Sequence, residues 1–211
     1  MALRLTLIGP PGCGKGTQAA LLREQGFAHV SSGDLLRAAI ASGTALGARV
    51  APVVAAGGLV EDEVMFELVA GFIGRHPDTA LVLDGYPRTV TQARHLATLC
   101  IDAAVFFEVA DAALLSRVRN RVLGPDGTIY DLEHHPPPPG VAVRRRVDDD
   151  PDVWARRLAI YRAEEAPLRA FYEARAQAFA VDAGQSVAAV HAQIEAVIAE
   201  LQARPPEGKA S

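Results

Sequence analysis

Lysine is almost absent from this sequence. Of the 21 basic residues, only Lys15 and Lys209 are lysine, and all the others are arginine. Lys209 lies in residues 205–211, a stretch of proline, glycine and small polar residues that we expect to be a disordered tail. Arginine presents a planar fork of donors, whereas lysine presents a compact point charge. A chain that uses arginine almost everywhere else therefore indicates a special role for Lys15.

Cysteine, long apolar runs and excess positive charge are also missing. Cys13 and Cys100 are too few for a disulfide framework and are not spaced as a CxxC motif. No apolar run reaches the roughly 18 residues of a membrane helix, and the first residues lack the pattern of a signal peptide. A net charge of −4 argues against general nucleic-acid binding. These absences favour a reduced, cytoplasmic protein with no membrane segment and no nucleic-acid partner.

Apolar residues make up 50% of the 211 residues, which is enough for a sizeable core. Short apolar segments typical of buried strands alternate with segments of helical spacing. The strands are predicted at residues 3–8, 30–32, 80–83, 103–109 and 179–181. This alternation predicts an α/β fold in which helices cover both faces of a parallel sheet. Ligands of such folds bind at the carboxyl ends of the strands.

Polar residues mark the predicted helix starts. Thr89, Asp111 and Asp150 each precede a segment of helical spacing and are predicted to cap it. Pro167 is expected to kink or interrupt the helix that begins after Asp150. Residues 124–147 include four consecutive prolines and few apolar residues, and we predict a mobile excursion outside the core.

The strongest motif is GPPGCGKGT at residues 9–17, between a predicted buried strand and a predicted helix. Glycines let the backbone curl so that several N–H groups point inward, and the helix adds its partial positive end. Lys15 supplies a full positive charge within reach of bound phosphates. The general phosphate loop has Ser or Thr directly after the lysine, whereas Gly16 stands here and Thr17 follows it. The pattern is that of the GxPGxGKGT loop, found in a narrower group of kinases.

Four segments together resemble the adenylate kinase family of nucleoside monophosphate kinases. They are GPPGCGKGTQ at 9–18, SSGDLLR at 31–37, LDGYPRTVTQA at 83–93 and RRVDDDPDVWARRL at 145–158. The resemblance covers nearly the whole chain. It implies Mg²⁺-dependent transfer of the terminal phosphoryl group from ATP to AMP, which gives two ADP.

The resemblance also assigns residues to each nucleotide. The residues implied to bind ATP are Gly12, Cys13, Gly14, Lys15, Gly16, Thr17, Arg117, Arg121 and Gln185. The residues implied to bind AMP are Ser32, Arg37, Gly58, Leu59, Val60, Gly85, Arg88, Gln92, Arg146 and Arg157. The residues implied to act on the transferring group are Lys15, Arg88, Arg121, Arg146 and Arg157. Asp84 is implied to approach Mg²⁺ through water.

The implied domain plan is a three-layer P-loop NTPase core with two insertions. The core comprises residues 1–30, 61–120 and 148–204, and a helical NMP-binding insertion comprises residues 31–60. A lid insertion comprises residues 121–147; it contains no cysteine, so we expect no zinc there. The family resemblance further suggests a monomer.

Two alternatives stay open. One is a kinase of another nucleoside monophosphate, or a GTP:AMP phosphotransferase; Gln92 favours AMP as acceptor but does not fix the donor base. The other is a nucleotide-sensing module, which would need Lys15 and Asp84 but not Arg37, Arg88 and Gln92; the presence of all three disfavours it.

Overall fold

A computed structural model describes residues 2–125, 128–133, 135–145 and 150–204. The strands in this part of the chain are β1 (Arg4–Ile8), β2 (Ala28–Ser31), β3 (Leu81–Asp84), β4 (Ala103–Glu108), β5 (Arg121–Leu123), β6 (Ile129–Asp131) and β7 (Ala178–Asp182). The helices are α1 (Lys15–Glu24), α2 (Ser32–Ala41), α3 (Ala45–Ala55), α4 (Asp62–Gly74), α5 (Val90–Ala97), α6 (Asp111–Asn120), α7 (Pro151–Glu173) and α8 (Val187–Ala203). The predicted tail, 205–211, and the predicted site residue Arg146 lie outside the described residues.

Five strands form one sheet in the order β2-β3-β1-β4-β7, and each neighbouring pair is parallel. The register places Leu7 of β1 opposite Asp84 of β3. The carboxyl ends of the two central strands therefore lie side by side, at the edge where the glycine-rich loop begins. The predicted α/β fold with a parallel sheet is confirmed.

Both faces of the sheet are buried, because successive strand residues point to opposite sides. On one face, Leu7, Val82 and Val105 pack with residues of α1 and α8, such as Leu22 and Ile194. The opposite face packs in two clusters. Leu81 and Leu83 lie among residues of α4 and α5, and Phe106 packs against Leu168 and Tyr172 of α7. The helices on both sides give the predicted three layers.

Two insertions leave this core. After β2, helices α2 and α3 pack on each other, and the sequence had not predicted α3. Between α6 and α7, strands β5 and β6 form an antiparallel hairpin, and Leu123 and Arg144 exchange main-chain hydrogen bonds. The described part of 124–147 thus contributes one strand, β6, to a small hairpin, and none of its residues belongs to the three buried clusters.

Most predicted helix starts are confirmed, and two details are wrong. Thr89 caps α5 and Asp150 caps α7 through side-chain oxygens. Asp111 does not cap α6: it is the first helical residue, makes no capping bond, and instead pairs with Arg162. Pro167 does not interrupt α7, which runs unbroken for 23 residues, because burial of Leu168 and Tyr172 outweighs one lost main-chain bond.

Candidate functional site

The loop between β1 and α1 depends on its glycines. Gly12 and Gly14 have φ angles of 92° and 102°, in the left-handed region that side chains disfavour. A Cβ atom on Gly12 would also lie 2.6 Å from Val118 Cγ2. The chain therefore curls tightly here, and α1 begins at Lys15 with its amino-terminal N–H groups directed at the loop.

Lys15 lies inside this loop. Its Nζ donates to the carbonyl oxygens of Gly9 at 2.8 Å and Pro10 at 3.0 Å, and lies 3.4 Å from Cys13 Sγ. Two core helices support the loop: Trp154 Nε1 of α7 donates to the Pro11 carbonyl at 3.1 Å, and Arg117 Nη1 of α6 donates to the Cys13 carbonyl at 3.3 Å. The loop residues predicted to bind ATP and Arg117 are thus brought together.

Asp84 ends β3 beside the loop. Its Oδ2 atom would lie 3.5 Å from a Cβ atom on Gly16, so a side chain at position 16 would contact this carboxylate. Gly16 therefore leaves the space between the start of α1 and Asp84 open. Thr17 is exposed one residue further along α1. A carboxylate and a hydroxyl are oxygen donors of the kind that Mg²⁺ prefers.

His29 lies on β2, next to β3, and sequence reasoning had not singled it out. Burial lowers the pKa of His29, while Asp84 and Asp34 oppose that shift. Its Nε2 atom is buried and has no hydrogen-bond partner among the described residues. We therefore expect a neutral imidazole behind Asp84 at neutral pH.

A second pocket lies beside β3, on the acceptor side predicted from the sequence. Its lining includes the predicted residues Ser32, Gly58, Leu59, Val60, Gly85, Arg88 and Gln92. It also includes Leu36, Met65 and Tyr86, which sequence reasoning missed. Burial and the nearby Asp62 raise the pKa of the Tyr86 hydroxyl, so this side chain stays neutral.

Gly85 organises the polar end of this pocket. Its carbonyl accepts hydrogen bonds from Ser32 Oγ and Arg88 Nε, both at 2.8 Å, and Arg88 Nη2 also donates to Ser32 Oγ at 3.3 Å. The φ angle of Gly85 is 75°, and a Cβ atom there would lie 2.9 Å from Ser32 Oγ. Only glycine allows these atoms to lie so close together. The grouping holds the Arg88 guanidinium at the carboxyl end of β3.

Gln92 also lines the pocket and is 2% exposed. Its Oε1 accepts from the Arg88 main-chain N–H at 2.7 Å, and its Nε2 donates to Asp62 Oδ1 at 2.8 Å. The Gln92 main-chain N–H bonds to the predicted cap Thr89, but the Gln92 side chain bonds to the Arg88 N–H and not to the Thr89 N–H, as it would in a capping box. Asp62 was not predicted, because no local motif links residues so far apart.

Helix α7 contacts the turn that follows α3. Arg156 Nη1 donates to the Ala56 carbonyl at 2.8 Å, a contact that the sequence did not predict. A Cβ atom on Gly57 would lie 2.9 Å from Val153 Cγ1 and 3.1 Å from Arg157 Cγ. The predicted acceptor residues Gly58 to Val60 thus follow a turn that is packed against α7.

Three further predicted residues are not among those that line the second pocket. Arg37 forms an ion pair with Asp34 on the surface of α2. Arg121 begins β5, at the base of the β5–β6 hairpin. Gln185 Nε2 donates to Asp182 Oδ2 at 3.0 Å, and this bond holds the pKa of Asp182 below its usual value.

Within residues 2–125, 128–133, 135–145 and 150–204, no group of three or more His, Cys, Asp or Glu side chains is placed to hold a metal ion. No helix in the same ranges combines the length and the apolar character needed to cross a membrane.

A glycine-rich loop with its lysine, and a neighbouring pocket lined by arginine, glycine and glutamine, are the features expected of a phosphate-loop nucleotide kinase. The family model "Adenylate kinase" matches residues 7–177. Adenylate kinases of Agrobacterium fabrum and Salinibacter ruber are each 38% identical, over 95% of this chain and 100% of their own length. The adenylate kinase of Sinorhizobium medicae is 40% identical over 93% of this chain and 100% of its own. The chain belongs to the adenylate kinase family and is a phosphotransferase.

Proposed function

We propose that this chain transfers the terminal phosphoryl group of ATP reversibly to AMP and so forms two ADP. The observation that carries the proposal is the adjacency of two sites: the loop with Lys15 follows β1, and the pocket with Arg88 follows the neighbouring strand β3. Two nucleotides bound there would meet at the carboxyl edge of the sheet. Membership of the family supports the same reaction.

The donor side is assigned to the loop. The main-chain N–H groups from Gly12 to Thr17 and the ammonium of Lys15 would hold the β- and γ-phosphates of ATP. Lys15 now bonds to loop carbonyls, and it would exchange them for phosphate oxygens. Arg117, which already supports the loop, would stack on the donor base, and Gln185 would lie near that base through its backbone.

The acceptor side is assigned to the second pocket. The Arg88 guanidinium would bind the α-phosphate of AMP, since a planar fork matches two phosphate oxygens. Arg37 would exchange its exposed partner Asp34 for the same phosphate. The turn from Gly58 to Val60 would line the base, and Gln92 would bond to the adenine edge.

Positioning and charge neutralisation would supply most of the catalysis, because phosphoryl transfer requires little covalent work from a protein. We assign Arg121, Arg146 and Arg157 to the transferring group, together with Lys15 and Arg88. Arg157 lies next to the acceptor turn, and Arg121 lies at the base of the lid hairpin. Closure of the lid, proposed as residues 121–147 without a zinc site, would exclude water as a competing acceptor.

The family supports a need for a divalent metal, and we propose Mg²⁺. The Asp84 carboxylate beside the start of α1 supplies a suitable oxygen, which would reach the ion through water, with phosphate oxygens completing the shell. When bound, Mg²⁺ would neutralise charge on the phosphates and orient them.

We further propose a cytoplasmic monomer, with residues 31–60 as the NMP-binding insertion and the remaining ordered chain outside the lid as the core. Light scattering on a sizing column gives the mass in solution directly. A mass of about twice the 22.3 kDa of one chain would contradict the monomer.

The experiment that tests the reaction measures phosphoryl transfer from MgATP to AMP, GMP, CMP, UMP and dTMP, with MgGTP as a second donor. Fast turnover with ATP and AMP supports the proposal. Preference for another monophosphate would keep the mechanism but overturn the assignment of Gln92. Tight ATP binding without transfer to any acceptor would instead indicate a nucleotide-sensing module.

A further inference from the structure

The amide of Gln92 is held at both ends. Its Oε1 accepts from the Arg88 main-chain N–H at 2.7 Å, and its Nε2 donates to Asp62 Oδ1 at 2.8 Å. A carboxylate oxygen only accepts and a main-chain N–H only donates. These two partners therefore determine which end of the amide is oxygen and which is nitrogen.

Asp62 is itself fixed in position. It is the first residue of α4, and its second carboxylate oxygen accepts from Thr89 Oγ1 at 3.2 Å. Thr89 Oγ1 in turn accepts from the Gln92 main-chain N–H at 3.1 Å, as the cap of α5. The carboxylate thus joins the starts of two helices, and turning the Gln92 amide over would break bonds at both of its ends.

The fixed amide still has bonding capacity toward the pocket that it lines. The two bonds use one of its two N–H groups and one of its two oxygen lone pairs. Among bonds to described residues, one N–H and one lone pair of Gln92 remain, on ends of the amide whose order the two partners fix. Adenine offers an amino donor beside a ring-nitrogen acceptor. Hypoxanthine has nearly the same shape, with the donor and the acceptor exchanged.

We propose that Asp62 is a positioning residue that determines acceptor specificity. By fixing the order of donor and acceptor on Gln92, it favours a 6-aminopurine monophosphate over the 6-oxopurine of the same size. Asp62 acts through Gln92 and does not touch the nucleotide. This inference rests on the proposed function, because it requires the second pocket to bind the acceptor base.

The test compares AMP with IMP in the full-length protein. We would measure kcat/KM for both acceptors at saturating MgATP, and their dissociation constants by calorimetry, so that the ratio is also known independently of turnover. We expect Asp62→Ala to lower the AMP:IMP ratio at least tenfold and to leave the KM for ATP within twofold. Without Asp62, only the Arg88 main-chain N–H still fixes the order of the amide. Turning the amide over to bond to hypoxanthine then breaks one bond instead of two.

Two variants keep the constraint and serve as controls. Asp62→Asn can still accept from Gln92 Nε2 while its amino group faces Thr89, so we expect at least a third of the wild-type ratio. Glu63→Ala removes an exposed carboxylate from the same helical turn and should leave the ratio unchanged. Asp62→Ser carries a hydroxyl that can donate or accept, so it removes the acceptor-only partner of Gln92 Nε2 while keeping a polar group at position 62. Asp62→Ser should lower the AMP:IMP ratio as Asp62→Ala does. If Asp62→Ala fails to fold, Asp62→Ser takes its place in the test.

The outcomes separate the inference from the proposed function. An unchanged AMP:IMP ratio in a folded Asp62→Ala or Asp62→Ser protein overturns the role of Asp62. A loss in Asp62→Asn equal to that in Asp62→Ala also overturns it, because charge rather than orientation would then be responsible. Wild-type protein that binds AMP but does not phosphorylate it contradicts the proposed function, while the ratio of dissociation constants still tests Asp62.

Discussion

Lys15 is held in the phosphate loop by main-chain carbonyl groups. Its ammonium has three N–H donors, and the loop places three acceptors around it: the carbonyls of Gly9 and Pro10 and the thiol of Cys13. A planar guanidinium could not direct donors to such converging acceptors. The loop therefore accounts for a lysine in a chain that otherwise uses arginine.

We predict that Lys15→Ala lowers kcat by about 10²–10³-fold, as expected when a main electrostatic contact to the transition state is removed. Lys15→Arg should recover little of this loss, because the longer fork does not fit the loop. Steady-state transfer from MgATP to AMP measures both variants, and thermal unfolding verifies that they fold. Lys209→Ala is the matched control and should retain wild-type activity. More than a tenth of wild-type kcat in Lys15→Ala would contradict the assignment.

At the scale of elements, the turn after α3 depends on close approach to α7. Gly57 has a φ angle of 72°, and a Cβ atom there would overlap Val153. Arg156 bonds to the carbonyl of Ala56 in the same turn. Trp154, on the same stretch of α7, bonds to the phosphate loop. Helix α7 thus contacts both the turn at Ala56 and Gly57 and the phosphate loop, and it fixes their positions relative to each other.

We predict that Gly57→Ala raises the KM for AMP about tenfold and leaves the KM for ATP within twofold, because overpacking pushes the acceptor turn away from α7. Gly43→Ala provides the matched control: its φ angle is 65°, but the space around it is open. Both variants should lose about 1–2 kcal/mol of unfolding free energy from backbone strain, measured in urea. Equal KM values for AMP in the two variants would contradict docking on α7.

Elements were predictable where local pattern and burial agree. The strands around β1 and β3 and the caps at Thr89 and Asp150 follow from apolar runs and polar starts. Helix α3 was missed because it contains Gly47 and Pro52, which local preferences disfavour. Gly47 is required by packing: a Cβ atom there would lie 2.1 Å from the Ala39 carbonyl oxygen of α2.

The site residues predicted from the sequence belong to local motifs. The contacts of Asp62 and Arg156, which were not predicted, join residues far apart in the sequence. The loop and the Gly85 to Gln92 segment are short and local, so their residues could be named from the sequence. Asp62 reaches Gln92 across 30 residues, and Arg156 reaches Ala56 across 100. No spacing rule links such pairs, because the fold alone brings them together.

At the scale of the whole molecule, a buried five-stranded sheet carries the β5–β6 hairpin, which makes few hydrogen bonds to the rest of the described chain. The strands β1, β3 and β4 are almost fully buried, whereas the β5–β6 hairpin is joined to α6 by a few bonds, such as Leu132 N–H to the Asn120 carbonyl. Leu123 and Arg144 close the base of the hairpin through two main-chain bonds. Its local stability should therefore be much lower than that of the core.

We predict that amide hydrogen exchange at Leu123 and Arg144 is at least tenfold faster than at Leu7 and Val105 in the nucleotide-free protein. A bisubstrate analogue should slow exchange in the hairpin at least tenfold, because closure and binding stabilise the same state. Exchange resolved by NMR would measure each site. Amides of residues 128–145 that exchange like an unstructured peptide with the analogue bound would contradict a lid that orders on closure.

The scarcity of lysine gives the folded chain an unusual response to a lysine-specific protease. In the described residues the only cleavage site is the Lys15–Gly16 bond at the first turn of α1, and cutting at Lys209 removes only two residues. A protease must extract several extended residues around its cleavage site, so the first cut requires the loop and the start of α1 to unfold. Proteolysis of this chain therefore reports the opening of the nucleotide-binding core, and bound ATP should slow it directly.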